Sequence, residues 1–292
     1  MKILKYAVPY VLISSFNYYF AQDAVLNSSP ITFNLIRYLI SSAIFLPLAR
    51  RIIFNRDVIQ LSIYTVSSSV LWAYGLIYVN PAESAVLSYT MPLFSILIAS
   101  LVLSERVTSI EILGVIVGFS GVVLYGLPLI HGFTLLGAVL TIVNAVFWAL
   151  FTTFYRKLKD YDPLTVNASQ FLLGSAFLTL LLPLDYRIKF DTQFLYGILY
   201  TSTLGGAIAF FLWNLMLKVE KVSKVTVLSF SVPILATLIE SALGNPPLPI
   251  QIAGISLMFL GILFSRLKAN AIKRGYYCFS NHFQRGIALI PS

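Results

Sequence analysis

Residues 87–105 read LSYTMPLFSILIASLVLSE, and residues 228–245 read LSFSVPILATLIESALGN. Each is an apolar run of about the 20 residues that a helix needs to cross a bilayer. Leu87, Ser88, Tyr89 and Pro92 match Leu228, Ser229, Phe230 and Pro233 at a constant separation of 141. Working outward, Glu111, Gly114 and Gly121 match Gln251, Gly254 and Gly261 at 140, and Pro30 and Arg37 match Pro163 and Gln170 at 133. The chain is therefore a membrane sequence that repeats itself once.

Composition agrees. Of 292 residues, 58% are hydrophobic and only 11% charged, and mean hydropathy is +0.86. A soluble domain is about 25% charged, so a chain this apolar has too little polar surface to face water. A soluble enzyme, a nucleic-acid-binding module and a disordered chain are all excluded as main readings. Apolar runs at 5–26, 31–49, 59–78, 82–103, 109–127, 132–154, 163–183, 193–217, 223–243 and 249–267 predict ten spanning helices. They are too long for strands, and a helix satisfies its own backbone in lipid. The first run holds Asn17, Gln22 and Asp23 and lacks a small-x-small cleavage site, so it reads as a retained helix and not a leader.

The positive charges test this count. With the amino terminus inside, 17 of the 20 Lys and Arg fall in cytoplasmic segments: near Lys2, Arg50, Arg106, Arg156, Lys221 and from Arg266 onward. Only Arg187 and Lys189 fall outside, and Arg37 lies within a span. The asymmetry predicts both termini inside and a multi-pass protein of the cell membrane. Five spans per half is an odd number, so the second repeat would sit inverted relative to the first. Inverted repeats around a midplane cavity are a plan of secondary transporters. The expected units are 1–130 and 131–267, followed by a basic, aromatic cytoplasmic tail at 268–292 suited to an anionic lipid surface.

The chain resembles the drug/metabolite transporter superfamily, EamA type, over about residues 5–267. The resemblance rests on Pro30 through Arg37, on YGLIYVNPAESAVLSYTMPLF, on Ser104-Glu105 followed by the Gly-rich fifth span, and on TLGGAIAFFLWN in the eighth. It departs where the family commonly has Gly-Glu after the ninth span; here the chain reads Gly244-Asn245-Pro246-Pro247. The resemblance implies alternating-access transport of a small metabolite or drug-like solute, often outward. It also implies a substrate site among spans one, three, four, six, eight and nine.

Within the spans, charges are costly and mark function or structural pins. Asp23, Arg37 and Glu240 lie in the outer half, with Glu83 opening the fourth span. Arg37 reads first as a pin, paired with Asp23 or capping carbonyls. Glu240 is the expected less-compensated acid, and so the candidate for proton coupling. The polar aromatic set for a substrate cavity is Asn17, Gln22, Trp72, Tyr74, Tyr78, Tyr89, Asn144, Trp148, Trp213 and Asn214. Tyr6, Tyr10, Tyr196 and Tyr200 read as an interfacial belt. Pro92 and Pro233 lie mid-span at matching positions and predict kinks with a gating role. Gly114 and Gly118 form a GxxxG; with Gly121, Gly254 and Gly261 they predict close packing of the fifth and tenth spans, within a chain or as a homodimer.

Cys278 is the only cysteine, and His131 and His282 lie outside the spans, so neither a disulfide nor a metal site is expected. No cofactor is implied, and no Walker A loop supports ATP-driven pumping. The expected partners are a small-molecule substrate and the bilayer, with no nucleic acid. A channel and a membrane-embedded enzyme are the alternative classes. The enzyme reading finds no HExxH or GxSxG and no His or Cys inside the spans.

Overall fold

A computed structural model describes residues 3–79, 81–129, 134–242 and 246–267, without the side chains of 82, 129, 236, 239, 240 and 242. The tail, His131 and the Glu240 side chain therefore lie outside the described residues. Within them the fold is all-helical, with one isolated antiparallel bridge between Ser28 and Ile188.

The helices are α1 (Leu4–Leu26), α2 (Pro30–Phe45), α3 (Arg56–Tyr78), α4 (Pro81–Ser88), α5 (Met91–Leu103), α6 (Ser109–Gly126) and α7 (Leu135–Lys157). They continue with α8 (Pro163–Leu181), α9 (Thr192–Ser202), α10 (Ala209–Val219), α11 (Val222–Thr226), α12 (Ser231–Ala242) and α13 (Pro249–Arg266). Their starts follow from local chemistry. Ser29, Asn55, Thr134, Asp162 and Asp191 each accept a backbone N–H through the side chain and cap the helix that follows. Thr108 and Glu111 cap α6 reciprocally. Pro30 and Pro163 sit just behind their caps, where a missing N–H costs nothing.

Among the described residues, seven helical stretches are long and apolar enough to cross a membrane: Pro30–Leu48, Glu83–Leu103, Ser109–Gly126, Leu135–Lys157, Pro163–Leu184, Thr192–Val219 and Pro249–Arg266. Their outer faces carry bare apolar side chains, such as Leu101 at 83% exposed and Leu180 at 78%. Such a surface belongs against lipid. The protein is a multi-pass α-helical membrane protein.

Three of the runs read as single spans are broken. The run at 82–103 is α4 and α5, interrupted at Tyr89–Thr90 immediately before Pro92. The run at 223–243 is α11, a 3-10 turn (Val227–Phe230) and α12, with Pro233 in the first turn of α12. The run at 193–217 is α9 and α10 joined by a π-helical stretch, Thr203–Ile208. The first two breaks stand where proline removes a backbone donor. The third carries Gly205-Gly206 at a close approach: a Cβ on Gly205 would collide with Asn17 Oδ1, and one on Gly206 with Ser41 Oγ.

Helices α6 and α13 meet through their glycines. A Cβ on Gly114 would lie 2.8 Å from the Gly261 carbonyl oxygen, and one on Gly121 2.5 Å from that of Gly254. This glycine contact is made within one chain, so a homodimer through these helices would use their opposite, apolar faces.

Candidate functional site

A cavity of about 120 Å³ lies at the centre of the helices. Its wall is assembled from one face of each contributing element. On α1, Tyr10, Ser14, Asn17 and Tyr18 follow the i, i+4, i+7, i+8 pattern of a single helix face. Ser68, Ser69 and Trp72 do the same on α3, and Asn144, Ala145 and Trp148 on α7. Ser88 and Tyr89 line it at the α4–α5 break, Gly205 from the π stretch, Ala209 and Phe210 from α10, and Ser229 and Val232 around the α11–α12 break. The helix interruptions thus open onto the cavity, where a broken backbone is tolerated because protein or water covers it.

Arg37 enters from α2 and is only 3% exposed. Its Nε donates to the Thr201 carbonyl at 2.9 Å and its Nη2 to the Gly205 carbonyl at 3.5 Å. The guanidinium carbon lies 5.6 Å from the Trp72 ring centre and 5.7 Å from that of Phe210. Arg37 therefore pins the end of α9 and the π stretch while reaching the cavity. Asp23 is not its partner: Asp23 is exposed at the far end of α1, where its backbone carbonyl accepts from Asn27.

Of the predicted cavity residues, Asn17, Trp72, Tyr89, Asn144 and Trp148 line it. Asn144 Oδ1 accepts from Ser68 Oγ at 2.7 Å, tying α7 to α3. Two lining atoms are buried without a hydrogen-bond partner, Asn17 Oδ1 and Trp72 Nε1. Buried polar atoms are nearly always satisfied, so an orphaned acceptor and an orphaned donor on two residues of one cavity wall leave two hydrogen bonds there unmade.

The other five are placed elsewhere. Gln22 Nε2 donates to the Leu76 and Val79 carbonyls and closes the end of α3, one turn beyond the cavity. Tyr74 lies two residues from Trp72, about 200° around the helix, and its hydroxyl donates to Asp185 at 2.6 Å. Tyr78 shares that face and is 42% exposed. Trp213 is fully buried behind the wall; its Nε1 donates to Thr152 Oγ1, and its ring lies 5.0 Å from Tyr10. Asn214 donates to Asn167 Oδ1 at 2.7 Å in a separate polar cluster.

Conversely, Tyr10 is no belt residue; it lines the cavity. Sequence reasoning also passed over Ser14, Ser68, Ser69, Ser88, Ser229 and Phe210. The available signal was the i, i+4 register of Ser14 with Tyr18 and of Ser68 with Trp72, the i, i+3 register of Ser69 with Trp72, and the repeat match of Ser88 with Ser229; Phe210 gave none. Pro233 lines a smaller adjacent cavity of about 40 Å³, separated from the first by the shared residues Tyr18, Tyr89 and Val232.

Below the cavity, one end of the molecule is laced by charges. Ser104, left-handed at φ 52°, ends α5 and turns Glu105 inward. Glu105 pairs with Arg156 at 3.6 Å and accepts from the Val222 N–H at 3.2 Å. Lys221 donates to the Arg106 carbonyl and lies 3.9 Å from Glu111; Arg156 donates to the Leu217 and Lys218 carbonyls. Burial pushes the Glu105 carboxyl above the usual carboxylate range, against the opposing pull of Arg156, the Val222 N–H and Lys221.

Comparison with known proteins follows the same lines. Residues 1–127 and 135–267 match the EamA-like transporter family. The chain belongs to that family. It is 52% identical over 236 residues, 81% of this chain and 93% of the other, to an uncharacterized transporter in the sor 3' region of Acidianus ambivalens. It is 27% identical over 247 residues, 80% and 87% of the two chains, to an uncharacterized transporter of Archaeoglobus fulgidus. Its fold is similar to a protein crystal structure with a TM-score of 0.77 and 20% identity, covering 93% of this chain and 98% of that one. As an EamA-like protein it is a membrane transporter.

Proposed function

We propose that this EamA-like transporter is a secondary carrier working by alternating access, with ten spans in two inverted five-span repeats, 1–130 and 131–267. One observation carries the reading. The cavity is walled by segments from both halves, and two of its wall residues hold unsatisfied polar atoms, as those of a binding site would.

Several features support the finer points. The spans beyond the seven strongly apolar ones are α1, α3 and α11–α12. These supply Ser14, Asn17, Ser68, Ser69 and Ser229 to the cavity. A helix that walls a polar cavity gives up hydropathy on one face, so α1 and α3 reach 23 residues yet fall short in apolarity. The glycine contacts support a two-fold relation. Gly114 meets Gly261 and Gly121 meets Gly254, while in sequence Gly114 matches Gly254 and Gly121 matches Gly261. A two-fold axis turns one contact into the other.

The loop contacts also sort into two ends. Ser28 pairs with Ile188, and Thr134 donates to the Tyr78 carbonyl, at one end. Glu105, Arg156, Lys221 and Arg266 gather at the other. The basic end is read as cytoplasmic, with both termini there and the protein in the cell membrane. On this reading the laced rim is the closed gate on that side. Export is carried by the family resemblance alone. No described carboxylate lines the cavity, so a gradient of the solute itself is the simplest energy source.

Counterflow in proteoliposomes tests the mechanism after a thermal-shift screen has found a ligand. A carrier preloaded with unlabelled solute accumulates labelled solute transiently; a channel does not. Topology is tested by Tyr186→Cys, a position 67% exposed in the loop before α9, in a chain lacking Cys278. Reaction with an impermeant thiol reagent from the cytoplasmic side alone overturns the orientation.

A further inference from the structure

Among the described residues the cavity wall carries one formal charge, and it is positive. Arg37 makes no ion pair among the described residues, and no Asp, Glu, Lys or His stands in the wall. Two of its guanidinium nitrogens are held by carbonyls; Nη1 has no partner among the described residues. Such a cation, 3% exposed and uncompensated, leaves the cavity short of one negative charge.

The two orphaned atoms lie beside it. Trp72, 7% exposed, sits with its ring under the Arg37 guanidinium, and its Nε1–H is unmatched. Asn17 Oδ1 abuts Gly205, whose carbonyl holds Arg37 Nη2. One place therefore gathers a cation, an unsatisfied N–H donor and an unsatisfied acceptor. A carboxylate answers the first two, since a planar oxyanion takes the guanidinium and an indole N–H together. A hydroxyl on the same molecule answers the third. An organic cation would meet aromatic faces but also Arg37, with no acid to offset the repulsion.

We propose, building on the carrier reading above, that the substrate is a compact hydroxy carboxylate of net charge −1, bound between Arg37, Trp72 and Asn17. The cavity of about 120 Å³ suits such a molecule better than the drug-sized ligands that fill roughly 300–1,000 Å³.

The test uses the purified full chain, with glycolate and lactate, their neutral amides, and ethanolamine as a cation of similar size. Binding is read by thermal shift and calorimetry, and exchange by counterflow in liposomes. The carboxylates should bind at least roughly 10-fold more tightly than the amides, and ethanolamine should not bind. Trp72→Phe keeps the ring and removes only the N–H; it should weaken the carboxylates about 10-fold or more, as loss of a hydrogen bond to a charged group does. Arg37→Lys keeps the charge and loses the fork, and should also weaken them; its melting curve separates a folding defect from a binding one. Equal affinity for acid and amide overturns the proposal, as does carboxylate affinity unchanged in Trp72→Phe. Counterflow of the amide or of ethanolamine without the acids overturns it while leaving the carrier reading intact. Acids that bind in a Trp72-dependent way yet never exchange support the site and overturn the carrier. Failure of every acid to bind overturns the proposal outright.

Discussion

Helices α2 and α8 occupy matching places in the sequence repeat, yet they do opposite things with their polar residues. Both start at a capped proline, Pro30 and Pro163, and both are deeply buried. Asn34 matches Asn167, Arg37 matches Gln170, and Tyr38 matches Phe171, all at a separation of 133. Tyr38 and Phe171 touch edge to face at 4.9 Å, so the two helices cross at equivalent points. From there the chemistry diverges. Arg37 leaves its own half, caps carbonyls of the π stretch and reaches the cavity. Gln170 stays in a sealed cluster, donating to Asn167 Oδ1 at 2.7 Å and accepting from Thr65. Duplication supplied a common scaffold, and the charge was kept on one side only.

The sharpest way to break that contrast is to move the charge. Gln170→Arg places a guanidinium among Asn167, Thr65 and Asn214, all buried and with no acid in the cluster. An uncompensated buried charge costs about 3–5 kcal/mol, so little folded protein should be recovered, as judged by monodisperse elution after detergent extraction. Recovery and melting temperature equal to the parent would mean that the cluster is wet, and that the contrast with Arg37 is superficial. The reverse change is milder. Arg37→Gln makes α2 resemble α8 and strips a charged donor from the Thr201 and Gly205 carbonyls. Hydrogen bonds to charged groups contribute about 1.5–3 kcal/mol. Transport should therefore fall roughly 10- to 150-fold, with a lowered melting temperature.

A second comparison sets the two proline breaks against the π stretch. Met91 and Val232, neighbours of Pro92 and Pro233, line the cavity, so bending at either break would change its wall. Pro92→Ala and Pro233→Ala each restore a backbone donor. Each should leave expression intact and slow turnover several-fold. The π stretch owes its shape to Gly205-Gly206 and not to proline, so it should be insensitive to both. Full turnover in both alanine variants would make the prolines mere boundaries of helices.

How much of this was legible in sequence depended on what kind of signal each residue gave. That the chain crosses a membrane several times was legible because a bilayer imposes one length and one polarity on each span. The rotation of each helix was not. Trp72 and Tyr74 are both aromatic residues on one span, and the sequence offers no sign that one faces a cavity and the other a loop carboxylate. Serines were silent for a related reason. A membrane helix commonly folds a serine hydroxyl back onto the carbonyl four residues earlier, as Ser62 and Ser175 do here. Ser14 and Ser229 on a cavity wall therefore look the same as serines in packed interfaces. The π stretch lies within TLGGAIAFFLWN, but two glycines alone do not say that a neighbouring helix will press against them.

The smallest effect concerns the charged rim, compared with the cavity that the proposed mechanism has it close. In the cavity the one charge has no acid; at the rim, acid and base are matched and half-wet. Glu105 links the end of α5 to Arg156 on α7 and to Val222 at the start of α11. Burial raises its pKa in this arrangement despite the ion pair. Protonated Glu105 is thus favoured by the closed rim relative to an open, hydrated one. Its contribution to closure is fully present below the ordinary carboxylate range and is lost as pH rises through the raised value. Acidification should then tighten the rim, the reverse of what an ion pair alone would do. A cysteine placed at Ser229, in a chain lacking Cys278, should become more reactive from the cytoplasmic side as pH rises, after correction for thiolate formation on a free thiol. Glu105→Gln mimics the protonated form, so its reactivity should stay low and flat with pH. Reactivity that instead rises as pH falls in the parent chain would mean that the Arg156 pair, not desolvation, governs closure.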